Sequence, residues 1–393
     1  MKSLRKKKVL SLIGALVFVF LFLQRGSISS FARDRYEDLQ LFAQVLNLVQ
    51  QYYVEEVPTK KLIYGGIKGM LKELDPHTNF LPPEVFKEFR SETRGEFGGL
   101  GIEITIKKGV LTIISPIEDA PAWKAGLKAG DKIVAINGES TKGMTLEEAS
   151  QKMKGKSGTK VTLSIYRDGF DKPKDFVIKR GVVKLKSVKA TDLGDGYLYV
   201  RLTGFMAKTN RELERVLEKH EKKYKAIKGL IIDLRRNPGG LLDQAVKISD
   251  MFLDKGIIVS TKGRKEKQKD VRKARKPGSR LGFPIIVLID EYSASASEIL
   301  AGALQDNKRA LIMGKRSFGK GSVQSIIKLN DGSALKLTVA RYYTPSGRSI
   351  QAEGIQPDVE VDSLDPKVFA KAKKHRRVRR EKDMRGHLLG EKE

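Results

Sequence analysis

The chain has 393 residues, of which 40% are hydrophobic, a formal net charge of +29 and no cysteine. Its length suggests two or three domains, and its apolar fraction is large enough to build packed cores, which excludes a disordered chain. The lack of cysteine excludes disulfides, thiolate zinc sites and a cysteine nucleophile.

The first 32 residues are organised like an export signal. Five basic residues at positions 2–8 precede an uncharged run over Val9–Leu23, and small residues follow up to Ala32. A basic start, an apolar run and a small-residue cleavage site are typical of a signal peptide. Because the run is shorter than the roughly 20 residues of a spanning helix, a cleaved leader and an uncleaved anchor both remain open. Residues 1–32 therefore predict export to the periplasm or another extracytoplasmic compartment, and a segment that is not cleaved would anchor the chain to the inner membrane.

Residues 33–92 are predicted to form a small helical domain. Apolar residues recur at helical spacing in its first part, at Leu39, Phe42, Leu46 and Val49. A turn with the sequence Asp-Pro-His-Thr follows at residues 75–78, and Pro82-Pro83 ends the segment.

Residues 93–183 have the pattern of a small, β-rich domain. The glycine-rich stretch Gly98–Gly101 leads into an alternating strand, and one short helix is predicted to end at Gly126. A second helix is capped by Thr145, with Glu148 at the capping-box position. The predicted strands begin at Ile102 and continue with Val110–Ile114, Ile133–Ile136, closed by an Asn137-Gly138 turn, and Val161–Tyr166, which is the last.

This order of elements resembles a PDZ domain of the bacterial, circularly permuted type. The resemblance implies that the carboxylate-binding loop consists of Gly98, Gly99, Leu100, Gly101 and Ile102. Successive N–H groups in such a loop form a nest for a terminal carboxylate, and the ligand adds to the neighbouring strand edge. The alternative is that these glycines only shape a hairpin. We predict that the domain binds the C-termini of proteins.

Residues 184–362 alternate strands with helices, which predicts a mainly parallel sheet. The predicted strands are Tyr197–Leu202, Gly229–Leu234 and Pro284–Asp290, and the predicted helices are Thr209–Tyr224, Leu241–Phe252 and Ser293–Leu304. Functional loops in such sheets lie at the C-terminal ends of the strands, where Asp233–Gly240 and Glu291–Ser297 fall. The fold class is therefore a multi-domain α/β protein, with a helical N-terminal region, an inserted PDZ-like domain and a mainly parallel α/β core.

The second loop carries Ser293, Ser295 and Ser297, which alternate with alanine at a strand-to-helix junction. Free N–H groups and the positive end of the helix dipole would stabilise an oxyanion there, which suits a serine nucleophile. Serine is also a preferred N-cap, so plain capping is the alternative. Local composition does not choose among the three serines.

A serine nucleophile needs a base, and histidine is the usual one. The chain has four histidines, and none lies in the predicted α/β core. His77 is in the helical region, His220 is in a lysine-rich helix predicted to be exposed, and His375 and His387 are in the basic tail. A Ser-His-Asp triad and a histidine-based metal site are therefore disfavoured.

Lys320 is a candidate base because it lies between glycines and between two apolar segments. Desolvation there would lower the pKa of the lysine. Gln324 is four residues on, and on a strand it would share a face with Lys320 and could orient it. An ordinary turn lysine is the alternative.

Two other motifs overlap this segment. Gly314–Lys320 has the G-x-x-x-x-G-K spacing of a phosphate-binding loop, but Gly321 replaces the Mg²⁺-binding Ser/Thr and no helix pattern follows. Ser317-x-x-Lys320 matches a penicillin-binding motif, but Gly319 disfavours the helical turn that this motif needs. Neither nucleotide nor other cofactor is expected.

Four longer motifs point to one family. They are SASASEILAGALQD at 293–306, GKGSVQ at 319–324, DLRRNPGGLL at 233–242 and GIQPD at 354–358. Over about residues 35–362 the chain closely resembles the C-terminal processing, or tail-specific, serine proteases. The resemblance implies that Ser295 is the nucleophile, Lys320 the general base and Gln324 its supporting residue. The implied oxyanion hole consists of the backbone of Ala296 and of a glycine, Gly239 or Gly240.

Beyond the N-terminal segment, much of the positive charge lies in two tracts, Lys262–Arg280 and Lys367–Arg385, the second of which belongs to the basic tail, residues 363–393. Both tracts are predicted to be solvated segments, and the alternative is contact with anionic lipid or nucleic acid. No motif supports specific nucleic-acid recognition. The sequence thus predicts a serine endopeptidase that takes protein or peptide substrates by their C-termini and associates with a membrane through its N-terminus. The alternative is a membrane-tethered PDZ scaffold without catalysis. A homo-oligomer remains open, and no metal is expected.

Overall fold

The structure is a computed structural model that describes residues 37–275, 280–361 and 379–391. The predicted leader, residues 1–32, lies outside the described residues. The chain forms two compact units that divide between Met70 and Leu71. Within the described ranges, no helix is both long enough and apolar enough to cross a membrane.

The described part of the first unit is helical, as predicted. Helix α1 covers residues 37–52, and helix α2, Thr59–Lys72, runs to the start of the second unit. Gly66 of α2 lies against Phe42 of α1, where an added Cβ would be 2.9 Å from the ring. The helix pair is therefore packed at this point.

The second unit begins with residues that the sequence analysis assigned to the helical domain. Its first elements are β1 (Asn79–Leu81), α3 (Pro83–Arg94) and β2 (Glu96–Gly99). Gly95 ends α3 in the left-handed conformation, with φ of 73°. The second unit therefore includes residues 71–92.

A β-rich domain follows and agrees with the predicted order. Its elements are β3 (Ile102–Lys107), β4 (Val110–Pro116), α4 (Pro121–Lys124), β5 (Lys132–Ile136), β6 (Glu139–Ser140), α5 (Leu146–Met153), β7 (Lys160–Tyr166) and β8 (Lys174–Lys179). The strand order is β3-β4-β5-β7-β8, with β6 beside β5. The Thr145–Glu148 capping box is present, which confirms the predicted start of α5. The sequence placed the last strand at β7, and this was wrong, because β8 pairs with it along its length.

The remaining elements build the α/β core. The strands are β9 (Gly181–Lys184), β10 (Val188–Gly194), β11 (Tyr197–Leu202), β12 (Gly229–Asp233), β13 (Ile257–Gly263), β14 (Lys269–Lys273), β15 (Ile285–Ile289), β16 (Leu311–Gly314), β17 (Ser322–Lys328), β18 (Ala334–Tyr343) and β19 (Val359–Glu360). The helices are α6 (Thr209–Tyr224), α7 (Leu242–Asp250) and α8 (Ala296–Asp306), with short 3-10 turns at Glu266–Gln268 and Glu381–Asp383.

The central sheet has the order β10-β11-β12-β15-β16-β19 and is parallel except for β10. Its middle strands are continuous apolar runs, as expected for strands covered on both faces. Because β12 and β15 are parallel neighbours, with Ile232 opposite Val287, the loops after them lie side by side. These are the two loops that the sequence singled out.

A second, antiparallel sheet has the order β1-β18-β13-β14, with β17 also paired to β18. Strand β17 starts two residues after Lys320, and β1 follows the 75–78 turn. Pairing of both strands with β18 therefore brings that turn beside the lysine segment.

Three sequence predictions are corrected here. His220 is only 5% exposed, because it lies on the same buried face of α6 as Leu213 and Leu217. Part of the Lys262–Arg280 tract forms the paired strands β13 and β14 rather than a solvated loop. In the basic tail, Glu381 is fully buried.

Candidate active site

Ser295 occupies a strained turn between β15 and α8. Its φ is 55° and its ψ is −114°, a combination that non-glycine residues rarely adopt. It directly precedes Ala296, the first residue of α8. The Ala296 amide is therefore one of the first N–H groups of the helix, which have no partner within the helix. The turn therefore presents the serine at a helix N-terminus.

The hydroxyl partners distinguish the three serines. Ser293 Oγ donates to Leu234 O at 2.9 Å, and Ser297 Oγ donates to Asn237 O at 3.0 Å. Among the described residues, the Ser295 hydroxyl donates to no carbonyl of this kind, and it lies in the capping-box position relative to the backbone of Glu298. Ser293 and Ser297 thus fasten the two loops together, and Ser295 is the serine whose hydroxyl remains available.

Gly239 packs so closely against the serine turn that no larger residue could take its place. Its φ is 99°, and an added Cβ would lie 2.6 Å from Ala294 O and 2.9 Å from Ser295 Cβ. Asn237, fully buried, fixes this loop by accepting the amide of Ala294 on its carbonyl at 3.0 Å. The glycine backbone therefore lies directly across the Ser295 side chain.

The backbone amides around Ser295 differ in availability. Gly239 N–H donates to Asn237 Oδ1 at 2.9 Å, so it is already engaged. The amides of Ala296 and Gly240 donate to no carbonyl of the described residues outside regular helix and strand pairing. Of the two glycines that the sequence left open, Gly240 thus has the amide that is available.

Lys320 lies in the loop before β17. Burial and, to a smaller extent, the nearby Lys336 ammonium lower the pKa of its amine to about 8, against the opposing effect of the carboxylates of Glu381, Glu298 and Asp75. A lysine with such a pKa is substantially neutral at mildly alkaline pH and can accept a proton. In the described structure, no hydrogen bond joins Ser295 Oγ to Lys320 Nζ.

Glu298 connects the loop that carries Ser295 (the serine loop) with the loop that carries Lys320 (the lysine loop). One carboxylate oxygen accepts the amides of Ser295 at 2.7 Å and Lys320 at 3.0 Å. The other accepts Ser317 Oγ at 2.6 Å and the amide of Gly319 at 2.7 Å. Burial raises the pKa of this fully buried carboxyl to about 7, although all four donors favour its ionised form.

No role was predicted for Glu298 from the sequence. The signal that could have found it is the Ser-x-x-Glu spacing of a capping box at the start of α8. That signal accounts for the contact with Ser295. It does not show the contacts with the lysine loop, because those arise only in the fold.

Gln324 is placed differently from its prediction. Its Nε2 donates to Ser322 Oγ at 2.9 Å and to Thr338 Oγ1 at 3.3 Å, and no hydrogen bond to Lys320 is present. Lys320 precedes β17, and the pairing register shifts between Val323 and Gln324. The argument that even spacing puts the two side chains on one strand face was therefore wrong.

The 75–78 turn also reaches this site. Asp75 is buried and accepts hydrogen bonds from the amide of Thr78 at 3.1 Å and from Thr338 Oγ1 at 3.1 Å. Thr338 in turn contacts Gln324. The sequence placed this turn in a separate helical domain and gave it no functional part.

The predicted carboxylate loop lies between β2 and β3. Gly98 and Gly99 are in β2 and pair with β9, whereas Ile102 starts β3. The carbonyls of Leu100 and Gly101 accept amides of nearby residues, but their own amides make no backbone hydrogen bond in the described ranges outside strand pairing. Strand β3 lies at the end of its sheet order, so its outer edge is open to strand addition.

Family models match three parts of the chain: peptidase family S41 at residues 196–361, PDZ domain at 112–167, and activating protease CtpB N-terminal domain at 24–84. A carboxy-terminal-processing protease of Bartonella bacilliformis is 47% identical, over 92% of this chain and 83% of the relative. The carboxy-terminal processing protease CtpA of Bacillus subtilis is 37% identical, over 81% and 67%.

A solved structure supports the fold. It is described as a candidate S41 protease from Bacteroides fragilis, with a TM-score of 0.52 and 16% identity, and the match covers 84% of this chain and 91% of that one.

Proposed function

Because this chain belongs to the carboxy-terminal processing proteases of peptidase family S41, we propose that it is a serine endopeptidase with Ser295 as nucleophile and Lys320 as general base. One observation carries the assignment. Glu298 binds the backbone of both residues, so the available serine hydroxyl and the desolvated lysine belong to one buried hydrogen-bonded unit.

In the proposed reaction, neutral Lys320 accepts the proton of Ser295 Oγ while this oxygen attacks the substrate carbonyl. The oxyanion is held by the amide of Ala296 and by the Gly239–Gly240 backbone, where Gly240 N–H is the available donor. The lysinium then protonates the leaving amine. Water releases the acyl group, with Lys320 again as the base. The hydrogen bond between the two side chains forms when substrate binds, since catalytic hydrogen bonds are often long or poorly aligned in free enzymes.

The pH dependence of cleavage should follow the proton of Lys320. Since its pKa is lowered to about 8 and only its neutral form is a base, kcat/KM should rise with pH through this region. Ionisation of Glu298, whose pKa is about 7, acts in the same direction because the carboxylate can then accept all four donors. A rate that is flat between about pH 6 and 9 would argue against a lysine base.

We further propose that the PDZ domain captures an unstructured, apolar C-terminus of the substrate. The available amides of Leu100 and Gly101 would bind the terminal carboxylate, and the substrate would pair with the open edge of β3. The substrate chain then reaches Ser295 for cleavage.

Cleavage should therefore depend on the substrate's C-terminal residues. An unstructured substrate that ends in an apolar sequence should be cleaved with a kcat/KM at least about tenfold higher than the same substrate ending in charged residues, because the bound carboxylate and apolar contacts are lost. Ser295→Ala provides the background rate for both substrates. Equal rates for the two substrates would contradict capture through the PDZ domain.

We also propose that the protein acts outside the cytoplasm and is attached to the membrane through residues 1–32. The support is the order of basic, apolar and small residues in that segment.

A further inference from the structure

The C-terminal residues 379–391 pack against the loop that carries Lys320. The amide of Glu381 donates to the carbonyl of Phe318 at 3.3 Å. Phe318 lies two residues before Lys320, and its own amide donates to Ser293 O at 3.0 Å. The segment therefore contacts the lysine loop at a point that is also tied to the serine loop.

Glu381 is fully buried in a tail whose composition predicts a solvated segment. A carboxylate is rarely buried without partners, because desolvation of the charge is costly. Here both carboxylate oxygens lie 2.8 Å from His77 Nε2, and Oε1 accepts Gln351 Nε2 at 3.2 Å. These contacts specify the position of Glu381.

Gln351 connects residues 379–391 to the backbone that follows Lys320. It is fully buried, its Oε1 accepts the amide of Gly321 at 3.0 Å, and its Nε2 also donates to Leu388 O at 2.8 Å. Gly321 has no room for a side chain, since an added Cβ would lie 2.3 Å from Gln351 N. The residue after Lys320 is thus held by a side chain that residues 379–391 hold in turn.

We propose that residues 379–391 position Lys320 for catalysis, with Glu381 as the positioning residue. The segment holds Phe318 directly and Gly321 through Gln351, so the backbone on both sides of Lys320 is fixed. This inference rests on the proposed function, in which Lys320 is the base. Nothing in the family match requires it, because the S41 match ends at residue 361.

The charge of Glu381 affects the pKa of Lys320, and this effect can be measured. The groups that act on the Lys320 amine are the Lys336 ammonium, which lowers its pKa together with burial, and the carboxylates of Glu381, Glu298 and Asp75, which raise it. Removing the charge of Glu381 alone should therefore lower the pKa of Lys320. The acid limb of the pH–rate profile should move to lower pH.

The test is Glu381→Gln in the full chain, with cleavage of an unstructured substrate followed over pH. The amide keeps the size of the side chain but loses its charge and one acceptor. We expect kcat to fall about tenfold with KM changed less than about twofold, because the lysine is misplaced and substrate capture is not. The acid limb should shift to lower pH, and Glu381→Asp should return it toward the wild-type position. The control is Glu218→Gln, the same change at an exposed carboxylate on α6, which should behave like wild type.

A Glu381→Gln enzyme with wild-type kcat and pH profile would overturn the proposal. So would a fall in kcat that accompanies a lower Tm while the acid limb stays in place, since that result means general destabilisation. Ser295→Ala is measured in parallel. If that variant cleaves like wild type, the proposed function fails; if it is inactive and Glu381→Gln is unaffected, only the positioning role fails.

Discussion

Replacing Ser295 with alanine, or Lys320 with alanine, is expected to lower kcat by about 10⁴-fold or more, because each removes a group that takes part in the bond-forming step. Neither change should unfold the protein. The Ser295 hydroxyl donates to no carbonyl of the described residues, and Lys320 is a desolvated amine whose removal relieves a burial cost. The measurement is steady-state cleavage of an unstructured protein, with thermal unfolding recorded for each variant.

Each variant has a matched control. Ser293 lies in the same loop as Ser295, and Lys247 is of the same residue type as Lys320. Ser293→Ala should lose about 1 kcal/mol of stability for its bond to Leu234 O, yet retain most of its activity. Lys247→Ala, on the exposed face of α7, should change neither. Turnover by Ser295→Ala comparable to wild type, or loss of activity only in Ser293→Ala, would show that the nucleophile has been assigned to the wrong serine.

The second large effect is expected at Glu298. In Glu298→Gln, one of the two acceptor oxygens becomes an NH₂ group, which must face either the amides of Ser295 and Lys320 or the Ser317–Gly319 pair. Two buried donors then lose their acceptor. We expect the free energy of unfolding to fall by about 2–5 kcal/mol and kcat to fall about 10²-fold, since the nucleophile and base lose their common anchor.

Urea unfolding and single-turnover cleavage measure these two effects separately. Glu218→Gln, an exposed carboxylate on α6, is the control for loss of charge. If Glu298→Gln is as stable and as active as wild type, then the buried carboxylate does not organise the site.

The positions of the loops could be predicted from the sequence, because a parallel sheet needs only strand and helix periodicity to be recognised. Strand β11 and helix α6 match their predicted bounds, and the loops after β12 and β15 meet as expected. The family resemblance is confirmed by relatives that are 47% and 37% identical. It selected Ser295, a choice that local chemistry could not make.

In the structure, the contacts that distinguish Ser295 from its two neighbouring serines involve residues far apart in the chain. Ser293 and Ser297 bind carbonyls in the loop after β12, 59 and 60 residues earlier, and no local pattern predicts such contacts. The same holds for the pairing of Glu381 with His77, which are 304 positions apart. Composition made the tail look solvated, and the burial of a single carboxylate within it depends on partners from distant segments.

The predicted orientation of Gln324 was wrong for a different reason. A regular strand from Lys320 onward was expected, but β17 begins only at Ser322 and its register shifts before Gln324. Strand alternation is reliable within a strand, and it does not extend across a loop and a bulge. The role of Gln324 as a support for the lysine stays a prediction.

The most direct test of the Ser295–Lys320 pair is labelling by a serine-directed phosphonate, with the modified residue identified by peptide mass spectrometry. We expect one label per chain, on Ser295, with a labelling rate that rises with pH through the region of the Lys320 pKa and falls at least about 100-fold in Lys320→Ala. Labelling of another serine, or an unchanged labelling rate in Lys320→Ala, would contradict the assignment of this pair.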